Sequence, residues 1–142
     1  MSPRHPALCA MSALVLSLAL ALPPGPAWAA PLAFPATAGG TGGAVLELQA
    51  DKLVTMTAIP FRLTIRDAQG QPVTGARVNC NLTMPSMRMP DNRPKLTERD
   101  GAYVGELILT CTMGDYRAEC VVEEAGGARR TLAFDIGRAR LK

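Results

Sequence analysis

From residue 44 onward, apolar and polar side chains alternate along the chain in short segments. A period of two is typical of β-strands with one buried face, because successive side chains point to opposite sides of a sheet. No stretch beside them carries a convincing 3.6-residue helical period. Seven segments have the strand pattern, at residues 45–48, 53–67, 76–83, 95–98, 103–111, 116–122 and 130–136.

Turn-forming residues separate these segments. Asp100-Gly101 stands between the fourth and fifth segments, and Gly114-Asp115 between the fifth and sixth. An Asp-Gly pair favours a tight hairpin, since both of its residues tolerate a positive φ. Seven short strands joined by such turns predict an all-β fold, a seven-stranded immunoglobulin-like β-sandwich.

The first 29 residues predict a signal peptide ahead of the sandwich. A run over residues 13–22 that is apolar except for Ser17 is ended by a Pro-Pro-Gly-Pro stretch and leads to an A-x-A cleavage site at residues 27–29. The run is shorter than the roughly 20 residues that a membrane span needs, so an uncleaved anchor is the less favoured alternative. A lipoprotein is excluded because Cys9 precedes the apolar run instead of ending it.

The predicted domain organisation follows from these boundaries. Residues 1–29 form the signal peptide, residues 30–43 a flexible linker rich in Pro, Ala, Gly and Thr, and residues 44–142 the sandwich. We expect no transmembrane span after cleavage and a periplasmic or secreted location.

Composition removes several function classes. The 142 residues include 15 Lys and Arg against 12 Asp and Glu, a net charge of +3 that is too weak and dispersed for a nucleic-acid partner. The single histidine, His5, lies in the predicted signal peptide. Its loss on cleavage excludes Ser-His-Asp and Cys-His catalysis and zinc sites built on histidine, so we expect no enzymatic activity.

Methionine is the distinctive chemistry that remains. Met84, Met87 and Met89 follow the third predicted strand within one Pro-flanked segment, and Met113 follows the fifth. In an immunoglobulin-type sandwich these two connections emerge at the same end, where Cys111 also lies. Thioethers suit Cu(I) and discriminate against hard cations, which predicts a Cu(I) site at these five residues. The alternatives are a methionine cap on the core and an adaptable protein-contact patch.

Three cysteines follow the signal peptide, all on inward registers of predicted strands. We favour a disulfide between Cys80 and Cys120, because their two strands are neighbours in one sheet and the residues are roughly level. Cys111 is then free, buried or facing the metal. A disulfide between Cys111 and either Cys80 or Cys120 stays open, because sequence does not fix connectivity. A further alternative is that no disulfide forms and all three cysteines are reduced and buried.

Residues 63–136 resemble the YtkA-like/FixH-like family of exported or membrane-tethered bacterial sandwich domains. The most specific part of the resemblance is the Met-Pro-Ser-Met-Arg-Met-Pro block at residues 84–90, followed by Met-Gly-Asp-Tyr at residues 113–116. Supporting blocks are Gly-Gln-Pro-Val-Thr-Gly-Ala-Arg-Val at residues 70–78 and Gly-Ala-Tyr at residues 101–103.

The resemblance implies an immunoglobulin-like fold and a non-enzymatic role in copper handling, heavy-metal efflux or assembly of haem-copper oxidases. It carries the metal hypothesis to Met84, Met87, Met89 and Met113, and it implies a periplasmic or membrane protein of copper delivery, efflux or oxidase assembly as partner. Two functions are therefore expected: a Cu(I)-binding domain, or an accessory interaction module of a membrane complex that binds no metal.

Overall fold

A computed structural model of the chain describes residues 30–142; the predicted signal peptide, residues 1–29, lies outside the described part. Residues 30–142 form eight strands and no helix. The strands are β1 (Leu32–Pro35), β2 (Ala44–Leu48), β3 (Ala58–Ile65), β4 (Arg77–Thr83), β5 (Leu96–Arg99), β6 (Ala102–Ile108), β7 (Asp115–Glu123) and β8 (Arg129–Arg138).

The strands build two antiparallel sheets, which confirms the predicted all-β sandwich. One sheet has the order β1-β2-β3-β6-β5 and the other the order β4-β7-β8. Without β1, these are the four-stranded and three-stranded sheets of a constant-type immunoglobulin domain. The inward positions of both sheets form one core, whose largest fully buried side chains are Tyr116, Phe134, Leu48, Leu63, Ile65, Leu82, Leu109, Leu132, Val122 and Cys120.

Strand β1 is the main difference from the sequence expectation. It lies within residues 30–43, for which the composition predicts a flexible linker, and it pairs with β2 from Leu32–Leu48 to Pro35–Val45. Leu32 and Phe34 alternate along it and pack against the core. The sandwich therefore has eight strands instead of seven, because two apolar side chains at alternate positions find a partner strand.

The second predicted strand is also shorter than expected. Residues 53–67 were predicted as one strand, but β3 begins only at Ala58. The preceding segment leaves the sheet at Met56, which has a positive φ of 56°. Residues 53–55 instead bond to the end of the chain, where Thr55 N–H donates to the Arg140 carbonyl and Arg140 N–H to the Leu53 carbonyl, both at 2.9 Å.

Tyr103, on β6, fixes the connection between β3 and β4. Its buried hydroxyl donates to the Val73 carbonyl at 2.9 Å and accepts the Ala76 N–H at 3.1 Å. Burial raises the pKa of Tyr103 above the usual value of 10.0, the Ala76 hydrogen bond lowers it, and the carboxylates of Glu98 and Glu124 add to the rise.

A pH dependence of stability follows from Tyr103. Because its pKa is higher in the folded protein, the stability it contributes is complete below the unfolded pKa and is lost as the pH rises through the folded pKa. We expect Tyr103→Phe to flatten the fall in the free energy of unfolding as the pH rises above about 10, the pKa of the unfolded chain. Urea titrations in a Cys111→Ser background, which prevents thiol exchange, measure the two slopes. Equal slopes would contradict this role.

Candidate functional site

One end of the sandwich collects the methionines. Residues 49–57, 84–90, 109–114 and 139–142 all lie there, and we call this part of the molecule the methionine end. The strand register places them together: Ala58 pairs with Ile108 between β3 and β6, and Thr83 with Arg117 between β4 and β7. Arg138 pairs with Asp115 at the same end.

The segment after β4 begins with a tight turn. Met87 N–H donates to the Met84 carbonyl at 3.1 Å, so Pro85 and Ser86 occupy the two central positions. Proline favours the first of these because its ring fixes φ near the value that the turn needs. The turn holds Met84 on the core side and Met87 on the solvent side.

Gly114 shows that the two methionine segments touch. A β-carbon at this position would lie 2.6 Å from Ser86 Oγ and 3.4 Å from Met84 Sδ. Any larger residue here would require the Ser86 side chain to move, so glycine lets the β6–β7 connection approach the Met84–Met87 turn this closely. The structure therefore brings together the two segments that the sequence places some thirty residues apart.

Tyr116 fixes the β6–β7 connection through two hydrogen bonds to its hydroxyl. Its buried hydroxyl accepts N–H groups from Thr110 at 3.0 Å and Cys111 at 2.9 Å. A tyrosine at the start of this strand that bonds back to the preceding connection is the tyrosine corner of immunoglobulin-type sandwiches. The connection that carries Cys111 and Met113 is thus fixed to the core and not free to drift.

We expect Tyr116→Phe to lower the free energy of unfolding by about 1–3 kcal/mol, because two backbone N–H groups lose their acceptor. Amide hydrogen exchange at Thr110 and Cys111 should accelerate. Tyr103→Phe, which removes a buried hydroxyl at the opposite end of the sandwich, is the control and should leave these two amides unchanged. Unchanged exchange in Tyr116→Phe would refute the role of this hydroxyl.

The five predicted ligand residues differ in exposure. Met84 is 2% exposed and part of the core, and Met89 is half-buried against it. Met87 is 40% and Met113 77% exposed. Cys111 is a half-buried free thiol whose Sγ accepts the Met113 N–H at 3.4 Å. Of the five, Met87 and Met113 are therefore exposed to solvent, Cys111 and Met89 are half-buried, and Met84 is buried.

The predicted disulfide is confirmed. Cys80 and Cys120 are bonded, with Cα atoms 4.0 Å apart, and face each other across β4 and β7. Both are buried. The bond belongs to the core and leaves Cys111 as the thiol of the methionine end.

Met56 is a residue of this end that the sequence reasoning missed. It is 70% exposed, and its N–H donates to the Leu109 carbonyl at 2.8 Å. The inward alternation of Ile59 and Phe61 stops at Thr57 and Thr55, and that interruption is the signal that the strand has ended.

Other side chains offer little metal chemistry. Within residues 30–142, no three His, Cys, Asp or Glu side chains are grouped so that they could hold a metal ion.

The same described residues contain no helix that is long and apolar enough to cross a membrane.

The fold and site define a class: a disulfide-containing, immunoglobulin-like β-sandwich with a sulfur-rich end. The family model for FixH matches residues 44–132, from the first residue of β2 into β8. The chain belongs to the FixH family. No significant match was found among curated proteins or among solved structures. Disulfides persist in oxidising compartments, and the disulfide and the family together indicate an exported protein.

Proposed function

We propose that this protein is a periplasmic, non-enzymatic domain that binds Cu(I) at the methionine end, with Met87, Met113 and Cys111 as ligands. The observation that supports it most is the contact at Gly114, which joins the Met84–Met87 turn to the connection carrying the other two sulfurs. Export follows from the signal peptide predicted at residues 1–29.

The chemistry of the three side chains fits this ion. Cu(I) is soft and is satisfied by a few sulfur donors, while hard cations prefer oxygen. Thioethers keep their donor capacity in an oxidising compartment, where thiols tend to form disulfides. Cys111 adds a third sulfur donor, and its Sγ accepts the Met113 N–H.

Met84 and Met89 have a supporting role in this proposal. Met84 lies in the core, with its Sδ next to the position of Gly114. It anchors the turn that presents Met87, and Met89 packs against the core at the other end of the same segment. An already folded turn lowers the entropy cost of gathering the ligands.

The proposal is tested by Cu(I) titration of the protein against a competing chelator. We expect Met87→Leu/Met113→Leu to weaken binding about a hundredfold, roughly 2.7 kcal/mol. Leucine keeps the apolar volume and removes the sulfur. Met56→Leu is the matched control, since Met56 is exposed at the same end but on a different connection, and it should keep full affinity. Equal affinity of the wild type and the double variant would overturn the proposal.

A second candidate function rests on the exposure of Met87 and Met113. Flexible methionine side chains also suit adaptable protein contacts. In that case the domain is an accessory module of a membrane complex in efflux or oxidase assembly, without a metal. The domain would then retain no copper and would copurify with a partner. Met87→Leu/Met113→Leu would leave that partner bound, because leucine keeps the apolar contact. Met87→Asp/Met113→Asp would release it.

A further inference from the structure

The exposed apolar side chains are unevenly distributed over the domain. Within residues 30–142, six large apolar residues are exposed, and Val45 on β2 is the one that lies away from the methionine end. The other five are Met56, Met87, Ile108, Met113 and Leu141. Single exposed apolar residues need no explanation, but a concentration of them on one end indicates a contact surface.

Three of these side chains stand on neighbouring backbone segments. Thr55 forms a parallel bridge with Leu109, and Val54 forms one with Arg140. Residues 54–56 thus lie between the end of β6 and the end of the chain. Each of the three segments exposes one apolar side chain, and we call Met56, Ile108 and Leu141 the apolar patch. It contains none of the proposed Cu(I) ligands.

Positive charge accompanies the apolar patch. Lys52, Arg140 and Lys142 are exposed on the same segments. None of them takes part in an ion pair within residues 30–142. Asp51 precedes Lys52, and Glu106 is exposed on β6 two residues before Ile108. Exposed apolar side chains on segments that also carry three cations without an ion pair complement a surface that is negatively charged outside and apolar beneath.

We propose that the apolar patch docks on an anionic phospholipid surface. Met56, Ile108 and Leu141 enter the headgroup region, and Lys52, Arg140 and Lys142 contact the phosphates. Apolar burial and attraction to anionic lipid add together in interfacial binding, and each basic residue near the surface strengthens it several-fold. The proposal does not depend on copper, because thioether coordination uses Met87 and Met113.

The test measures whether lipid covers Met56. The full chain is expressed for export, purified as the cell delivers it and stripped of copper with a Cu(I) chelator. It is then oxidised with peroxide beside vesicles of phosphatidylcholine alone or of phosphatidylcholine mixed with phosphatidylglycerol. Peptide mass spectrometry follows oxidation of Met56, with buried Met84 as an internal measure of folding.

We expect the mixed vesicles to slow Met56 oxidation several-fold, and high salt to reverse this by screening. Lys52→Glu/Lys142→Glu should abolish the protection. Arg66→Glu/Arg99→Glu has the same change in net charge at the opposite end and should leave protection intact. Met87→Leu/Met113→Leu, which tests the copper site, should also leave it intact.

Three results would overturn the proposal. The first is equal oxidation of Met56 with and without mixed vesicles. The second is equal protection by vesicles of phosphatidylcholine alone, which would show that the negative charge is not recognised. The third is protection that rises with protein concentration in the absence of lipid, which would assign the apolar patch to contact with a second protein molecule.

Discussion

Replacing Cys80 and Cys120 together by alanine should lower the free energy of unfolding by about 4 kcal/mol. The bond closes a loop of 40 residues between β4 and β7. In the chain-entropy account, a loop of this length restricts the unfolded chain by about that amount. The two residues are also buried at a directly opposed pair, so the substitution leaves small voids in the core.

Guanidinium unfolding of the oxidised protein and of the double variant measures this difference. Cys111→Ser is the matched control, because it removes a thiol without removing the bond, and its effect should be small. A loss below about 1 kcal/mol in the double variant would mean that the β4–β7 pairing keeps its restriction on the chain without the bond.

Phe134→Ala should cost a similar amount, about 3–5 kcal/mol, the range for truncating a fully buried phenylalanine. Phe134 lies at the centre of β8, is fully buried, and stands opposite Ala118 on β7. Its cross-strand partner, Ala118, is too small to fill the void that the truncation leaves. Thermal and denaturant unfolding measure the loss.

Phe34→Ala is the comparison for this prediction. Phe34 is half-buried on the edge strand β1, so its truncation should cost about half as much, roughly 1–2 kcal/mol. No effect at Phe34 would mean that β1 does not stabilise the sandwich. A larger effect than at Phe134 would mean that the core depends on β1 and not on the β7–β8 pair.

Much of the fold is readable from alternation alone, because one face of each central strand is buried. The pairing of Cys80 with Cys120 could be favoured for the same reason, because both are inward residues at roughly the same level of neighbouring strands, but the sequence alone left the alternatives with Cys111 open. Strand β1 was missed because Leu32 and Phe34 stand among Pro, Ala and Gly residues, and their pairing partner is supplied by β2 rather than by local preference.

The location of the candidate site could be predicted from the sequence, but the exposure of all of its side chains could not. The topology alone brings the Met84–Met87 turn and Met113 to one end. The burial of Met84 could also have been inferred, because it continues the inward series of Cys80 and Leu82 on β4. The exposure of Met56 depends on contacts between residues 53–56, Leu109 and Arg140, which no local pattern encodes.

The position of Cys111 in the chain has a consequence for oxidative folding. It lies nine residues before Cys120, whereas Cys80 lies 40 residues away. In an unfolded chain the shorter loop is favoured by roughly 1.3 kcal/mol, so the pair that forms first is Cys111–Cys120. The native bond then requires the Cys80 thiolate to attack Cys120 and release Cys111 as a thiol. Pairing of β4 with β7 places Cys80 opposite Cys120 and so allows this attack. Assembly of the sheet is therefore the step that corrects the disulfide.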